Sequence, residues 1–376
     1  MPAPAEMTVI DRIETWRLPK LLVVRVTDSD GAQGWGQTAA RAADVTQAAL
    51  HTLVVPVALG QRADPLHVTE VVWNAEYKMR GTFLARALTG VETALWDLAG
   101  RRAGQPVWRL LGGEAPRDIP LYISRRTRKT TPQAEIDGIH AEIAAGGYRG
   151  IKVQIGDRLG RGPEGPPGRS EALVDALRAA FPDHRLSADA NGGYAAIEAI
   201  KIGRRMEAQG FHHFEEPCPF DDLAGTKAVA DALDLTVSGG EQDNDMGKFE
   251  RMASGGVVDI LQCDLAYCGG ATRTLAVARL ARTHGLPFMP HSPTMSMLQV
   301  FALHVLTALP PSGEMHEWRG ASDREPWAEE LYAPLPAANN GLTRAVAGPG
   351  WGITVNIDRL RRAEREVFDR RSKVKG

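Results

Sequence analysis

Two rhythms of apolar and polar positions divide this chain. From Met7 to Gln37 short β-rich runs, Val24-Arg25-Val26 among them, are broken by the turn Asp28-Ser29-Asp30-Gly31 and end in Gly34-Trp35-Gly36. That pattern predicts an antiparallel meander. Helical patterns follow over about Arg41 to Leu59, Pro65 to Tyr77 and Phe83 to Arg102, the last repeating apolar residues through Leu88, Val91, Ala94, Leu95 and Leu98. Gly104-Gln105-Pro106 stops the third helix, and Val107 to Leu111 is a short further turn closed by Gly112-Gly113. Strands followed by helices, segregated in sequence, predict an α+β capping domain over residues 1–115.

From Ile119 the two patterns alternate. Strands are expected at Leu121 to Ser124, Gly150 to Ile155, Arg185 to Ala188, His212 to Phe214, Leu235 to Ser238, Val258 to Gln262, Pro287 to Met289 and Met315 to Trp318, with amphipathic segments between most of them. Eight strands in that order predict an α/β fold of the (β/α)-barrel type over residues 116–320. Gly156 to Arg169, rich in Gly and Pro, reads as a loop leaving the second barrel strand and overhanging its mouth. Beyond Gly320 the chain is irregular and Pro-rich. It is expected to end in a polar helix from Asp358 to Arg371, with the tail of about residues 321–376 returning to the first domain.

Composition changes this picture little and excludes several classes. Of 376 residues 43% are hydrophobic and 24% charged, which describes an ordinary globular protein. The net charge is −2 and the basic residues are scattered rather than banked, so nucleic acid is not expected as a partner; a small anionic substrate needs only local cations. No apolar run reaches the ~18 residues of a membrane span. Cys218, Cys263 and Cys268 form no CxxC pair and leave an odd count, which fits a reducing compartment. Met1 to Glu6 lacks the basic and apolar regions of a secretion signal, and a cytoplasmic homo-oligomer is expected.

Candidate chemistry gathers at strand ends. Asp189, Glu215 and Glu241 each close an apolar run, at intervals of 26 residues, and Asp264 follows after 23 more. In a parallel barrel all of them lie at the C-terminal mouth, where barrel enzymes keep their chemistry. Three converging acids repel one another, and a hard cation such as Mg²⁺ resolves the repulsion, so these three are the expected metal ligands. Lys152 and Gln154 share a face of their strand, and an inward Lys needs an anionic partner. Asp264 and His291 end neighbouring strands, close enough for the carboxylate to hold one imidazole nitrogen and leave the other as acid or base. Glu317 closes the last strand. It either serves a developing oxyanion, if its pKa is raised, or forms an ion pair with Arg319. Arg125, Arg126 and Arg128 either clamp a polyanionic substrate or form a solvated loop. Tyr77, Lys78 and Arg80 either reach down from the first domain or are surface residues.

These residues resemble the mandelate racemase group of the enolase superfamily, over nearly the whole chain. Gly90-Val91-Glu92-Thr93-Ala94-Leu95-Trp96-Asp97-Leu98-Ala99-Gly100 through Leu110-Leu111-Gly112-Gly113 is similar to the capping-domain helix of that group. Lys152 matches the first Lys of its KxK motif; Asp189, Glu215 and Glu241 its Mg²⁺ ligands; Asp264 and His291 its Asp-His dyad; Glu317 its last-strand acid. A Glu as third ligand, together with the dyad, sets the chain apart from muconate-cycloisomerase-like relatives. The resemblance implies a (β/α)7β barrel with an α+β cap and abstraction of the proton α to a carboxylate through an enediolate.

One departure decides the expected reaction. The second Lys of KxK is Gln154, which accepts no proton at useful pKa, so only the His291 face carries an obvious base. Proton transfer between two faces wants two bases, whereas β-elimination of water needs one. The link Trp16 to Leu21 is short where many relatives carry a specificity loop, and the chain resembles acid-sugar dehydratases, some of which carry a His where this chain has Asn191. Gln154, Asn191, Arg125, Arg126 and Tyr77 are the expected substrate contacts. The expected activity is Mg²⁺-dependent dehydration of an aldonate or aldarate to a 2-keto-3-deoxy acid. Epimerisation or cycloisomerisation on the same enolate, and a silent sugar-acid-binding relative, are the alternatives.

Overall fold

The computed structural model describes residues 8–160, 165–292, 294–320 and 325–370. Strands β1 (Ile10–Arg17), β2 (Leu22–Asp28) and β3 (Gln33–Gln37) form the antiparallel meander. Asp28 Oδ1 closes its tight turn by accepting the N–H groups of Asp30 and Ala32 at 3.1 and 2.9 Å. The 22-residue helix Thr82–Ala103 lies across the sheet. Gly34 and Gly36 explain how closely: a Cβ on either would stand 2.1 Å from Ala94 O or 2.3 Å from Gly90 O of the helix backbone. The helix stops at Gly104, whose φ of +63° suits a left-handed C-terminal cap.

The barrel strands run in parallel order around the sheet: β4 (Ile119–Ser124), β5 (Gly150–Gln154), β6 (Arg185–Asp189), β7 (His213–Glu215), β8 (Thr236–Gly239) and β9 (Ile260–Leu261). β10 (His316–Trp318) returns to pair with β4, and helices cover the outside. The predicted strand Pro287 to Met289 is reduced to isolated bridges, Leu261 with Phe288 and Asp264 with His291. Pro287 and Pro290 have no N–H to give a ladder, which is why this eighth position never becomes a regular strand. The fold is a (β/α)7β barrel under an α+β cap. The predicted loop after β5 includes a turn at Arg158–Gly160, and part of it lies outside the described residues.

The C-terminal prediction is corrected. Only Ile357–Leu360 is helical, and Glu364–Asp369 is a strand antiparallel to β1, with Arg17 facing Glu364 and Arg12 facing Asp369. Its charges carry a helical rhythm, but the open edge of β1 offers backbone partners for the whole segment, and cross-strand pairs add to them. Arg17 lies 2.7 Å from Glu364, Arg365 pairs with Glu14, and beyond the sheet the Phe368 ring meets that of His51, tilted, at 4.6 Å between centres. No helix among the described residues is long and apolar enough to cross a membrane.

The long capping helix also fixes cap to barrel. Its Glu92 is fully buried and accepts the N–H groups of Ala271 (3.0 Å) and Thr272 (2.7 Å), the first turn of the barrel helix Ala271–Thr283, and Trp96 Nε1 at 2.9 Å. A carboxylate there satisfies amides that helix geometry leaves open and meets the positive end of the helix dipole. Gly270, at φ +103°, clears the space, because a Cβ would lie 2.1 Å from Glu92 Oε2. Glu92→Gln should cost about 2–3 kcal/mol, since an amide NH₂ then faces donors; a urea midpoint that does not move would refute this role.

Buried His304 accepts the Trp108 N–H on Nδ1 at 3.1 Å, and burial lowers its pKa to about 3. The unfolded chain takes up a proton near the usual value of about 6.5 that the folded chain refuses. Its contribution to stability is therefore complete above pH ~6.5 and is lost as pH falls from there toward 3. The slope of stability against pH between 6 and 4 should flatten in His304→Gln, measured by urea denaturation at each pH.

Candidate active site

Most barrel strands deliver one or two polar side chains, from the strand or the residues just after it, to a common cavity of about 450 Å³. Lys152 and Gln154 come from β5, Asp189 from the end of β6, and Glu216 from the residue after β7. Glu241 follows Gly240, whose φ is +114° and where a Cβ would stand 2.3 Å from Gln262 O. That bend ends β8 and turns Glu241 into the mouth. The cap closes the other side with Lys20, Ala40, Arg41 and Arg86.

The dyad is drawn as expected. His291 Nδ1 lies 2.8 Å from Asp264 Oδ2, and Asp264 Oδ1 accepts the N–H groups of Ala266 (2.7 Å) and Tyr267 (3.2 Å) at the start of the helix Leu265–Cys268. With the carboxylate pinned by backbone, the ring direction is set. Nε2 then faces Glu241 and Glu317 at 3.5 and 3.7 Å. Burial works against the imidazolium, but Glu241, Glu317 and the Asp264 hydrogen bond raise its pKa to about 9.

Lys152 is the hub of the floor. Its Nζ lies 2.6 Å from Glu215 Oε1, 3.5 Å from Glu317 Oε1 and 5.3 Å from the centre of the Tyr122 ring. Burial opposes its charge, yet Glu215 and Glu317 hold its pKa well above the ordinary lysine value. Burial pushes Glu215 up, and Lys152 and His213 bring it down to about 2. Glu317 is likewise raised by burial but held well below the usual range by Lys152, Arg319 and His291. The expectation of a proton-donating Glu317 is corrected: it is an ionised partner of Lys152 and Arg319, the latter at 3.5 Å, and accepts the Ser292 N–H at 3.0 Å.

The three acids expected as metal ligands are not equivalent. Asp189 and Glu241 open on the cavity, whereas Glu215 points to Lys152 and, at 3.0 Å, to Gln262. Its neighbour Glu216 lines the cavity instead, turned by a left-handed backbone at φ +42°. A non-glycine residue in that region is held at a cost, a feature concentrated at functional sites. Glu216 Oε1 is buried without a hydrogen-bond partner, and burial together with Asp189 and Glu215 raises its pKa to about 8. Burial also raises Asp189, with Glu215 adding to it, and raises Glu241 well above the usual range. The cavity therefore holds carboxylates short of positive charge, oxygen donors that fit a hard divalent cation. Among the described residues no three His, Cys, Asp or Glu side chains are already gathered as a metal cage.

Opposite His291, Gln154 and Asn191 form an amide pair. Gln154 Nε2 donates to Asn191 Oδ1 at 3.0 Å, and Arg128 donates to Gln154 Oε1 at 2.5 Å and to Asn191 Oδ1 at 2.8 Å. Asn191 is tied to Asp189 through its N–H and Nδ2, at 2.7 and 2.8 Å. Arg126 lines the cavity. Arg125 is corrected: it turns behind the wall to Glu135 at 3.0 Å and Glu142 at 3.7 Å. Tyr77 is corrected as well, being 62% exposed and outside the lining, while Arg80 bonds the Trp73 carbonyl at 2.9 Å. Arg86 and Glu216 were missed as site residues. The sequence signal for Glu216 was the doubled acid before Pro217; Arg86, inside a helical pattern, gave none.

A family model for the mandelate racemase / muconate lactonizing enzyme N-terminal domain matches residues 3–112, and one described as enolase C-terminal domain-like matches residues 137–359. The chain belongs to the mandelate racemase/muconate lactonizing enzyme family of the enolase superfamily. Among similar proteins, D-galactarolactone cycloisomerase of Agrobacterium fabrum is 32% identical, over 90% of each chain. Arabinonate dehydratase of Saccharolobus solfataricus is 28% identical, over 89% of this chain and 88% of its own. A candidate racemase from Roseobacter denitrificans has a crystal structure that superposes with a TM-score of 0.92 at 39% identity, covering 96% of this chain and 100% of that one. A mandelate racemase/muconate lactonizing protein from Paracoccus denitrificans, complexed with magnesium, gives 0.86 at 27%, over 96% and 99%.

If Lys152 neutralises the floor, Lys152→Met leaves Glu215 and Glu317 buried together without an ammonium. With a chelator present, stability should fall by about 3–5 kcal/mol, and Lys152→Met/Glu215→Gln should recover part of it. Equal urea midpoints for wild type and Lys152→Met would contradict the assignment.

Proposed function

We propose that the protein is a Mg²⁺-dependent acid-sugar dehydratase that removes the proton α to a carboxylate and expels the β-hydroxyl. The observation that carries this reading is the asymmetry of the cavity: a dyad-held imidazole on one wall and an Arg128-bound amide pair on the other. Relatives named as a dehydratase and a cycloisomerase support the coarser reading, an enzyme acting on sugar acids.

Asp189, Glu241 and the adjacent pair Glu215-Glu216 are the residues that would hold the ion. When bound, Mg²⁺ supplies charge neutralisation to the substrate carboxylate as electrons flow into it. Lys152, kept cationic by Glu215 and Glu317, offers a hydrogen bond to a carboxylate oxygen, worth most as charge develops there. His291 in its neutral form, which a bound cation would favour by offsetting the Glu241 charge that raises its pKa, takes the α-proton on Nε2 while Asp264 stabilises the resulting imidazolium. The same Nε2–H is delivered to the β-hydroxyl, which leaves as water. The resulting enol takes a solvent proton at the β-carbon as it ketonises to the 2-keto-3-deoxy acid, so protons balance. Gln154 offers no second base, since an amide accepts no proton at useful pKa, and Arg128 holds its oxygen in place.

Racemisation or cycloisomerisation is the second reading, favoured by the similarity to the candidate racemase and to the cycloisomerase. Proton NMR in deuterated water separates the two. A panel of aldonates and aldarates should yield 2-keto-3-deoxy acid without an accumulating epimer. Chelation should abolish turnover and Mg²⁺ restore it, and His291→Asn should lower kcat at least about 10³-fold. An inverted α-carbon without keto acid would overturn the dehydratase reading.

A further inference from the structure

Seven Lys and Arg side chains and five Asp and Glu line the cavity, and the cations are spread from Lys152 on the floor to Lys20, Arg41 and Arg86 of the cap. Most have an evident partner. Lys152 and Arg319 serve Glu317, Lys20 lies 3.5 Å from Glu325, and Arg158 reaches Asn191 Oδ1 at 3.4 Å. Arg86 differs. It projects from the first turns of the capping helix, half-buried, and its guanidinium carbon sits 3.6 Å from the centre of the Tyr267 ring. Nη1 makes a long bond of 3.4 Å to the Ala40 carbonyl, and Nε is buried without a hydrogen-bond partner. Among the described residues no carboxylate lies within ion-pair distance of it.

This state is costly unless a ligand completes it. Stacking on Tyr267 supports the charge through the ring face, while Nε is left without a hydrogen-bond partner. A planar guanidinium fork matches a carboxylate, which accepts two parallel N–H bonds. The Tyr267 ring stands 6.1 Å from that of His291, and Arg86 lines the same cavity as His291. Arg86 also belongs to the cap, away from Lys152 on the floor.

We propose that Arg86, stacked on Tyr267, receives a second carboxylate of the ligand, so that the acid this site takes is a dicarboxylate of the aldarate class rather than an aldonate. The first carboxylate lies over the floor around Lys152, and the second at the cap. Arg41, exposed on the same rim, adds positive field without a fixed contact. The inference rests on the sugar-acid reading and narrows it to diacids.

The test separates binding from chemistry. In the His291→Asn protein with Mg²⁺ present, calorimetry would measure Kd for C5 and C6 aldarates, each paired with the aldonate of the same configuration. The best aldarate should bind at least about 30-fold more tightly than its aldonate. Adding Arg86→Met should erase that preference and leave the aldonate Kd within about threefold; adding Arg86→Lys, which keeps charge without the fork, should retain part of the preference. Equal affinity for the two acids, a preference that survives Arg86→Met, equal weakening of both, or no binding of any acid would each overturn the proposal. Keto-acid formation by the wild type is scored separately. An aldarate bound through Arg86 but not converted would sink the dehydratase reading and leave the subsite standing.

Discussion

The buried ammonium of Lys152 is the constraint on which the mouth of the barrel depends. A charge in that position is tolerable only where carboxylates meet it, and Glu215 and Glu317 arrive from β7 and β10 because the sheet curls far enough for β10 to pair with β4. The curl of the sheet and the ion pairing are one condition. The pairing in turn decides which acids remain for other work. Glu215 and Glu317 are drawn to Lys152, so Asp189, Glu216 and Glu241 are left facing the cavity with too little positive charge between them. Carboxylates left at the mouth with little counter-charge follow from a stability requirement one layer below.

The two walls acquire opposite chemistry from the way their polar groups are held. On one, Asp264 spends one oxygen on backbone amides and the other on His291, which leaves Nε2 directed inward. On the other, Arg128 binds the oxygens of Gln154 and Asn191, so neither amide oxygen is free to respond to a ligand. The first wall therefore presents an imidazole nitrogen and the second only amides and a guanidinium.

The capping helix Thr82–Ala103 joins stability to recognition. Gly34 and Gly36 let it settle on the meander, Glu92 fastens it to the barrel helix at Ala271, and the same helix carries Arg86 to Tyr267. Because Arg86 rides on a helix fixed at both faces, its position over the cavity is set by packing rather than by a loop. Selectivity read by such a residue needs no movement of the cap.

Sequence alone determined what is local or periodic. Alternation of apolar runs and amphipathic segments fixed the barrel, and the spacing of acids at the ends of those runs placed Asp189, Glu241, Asp264 and His291 at one rim, because a parallel strand-helix unit returns every strand end to the same side. Lys152 and Gln154 were legible for the same reason, two residues apart on one face. Tertiary structure decided what depends on partners distant in sequence. The segment Glu364–Asp369 is a strand because β1 offers an open edge, although its charges have a helical rhythm. Pro287 to Met289 failed as a strand for want of backbone donors, Arg125 turned away because Glu135 and Glu142 stand behind it, and Tyr77 stayed outside the cavity. The ionised state of Glu317, the turn that presents Glu216 rather than Glu215, and the pairing of Arg86 with Tyr267 are all set by charges and rings that meet only after the chain has folded.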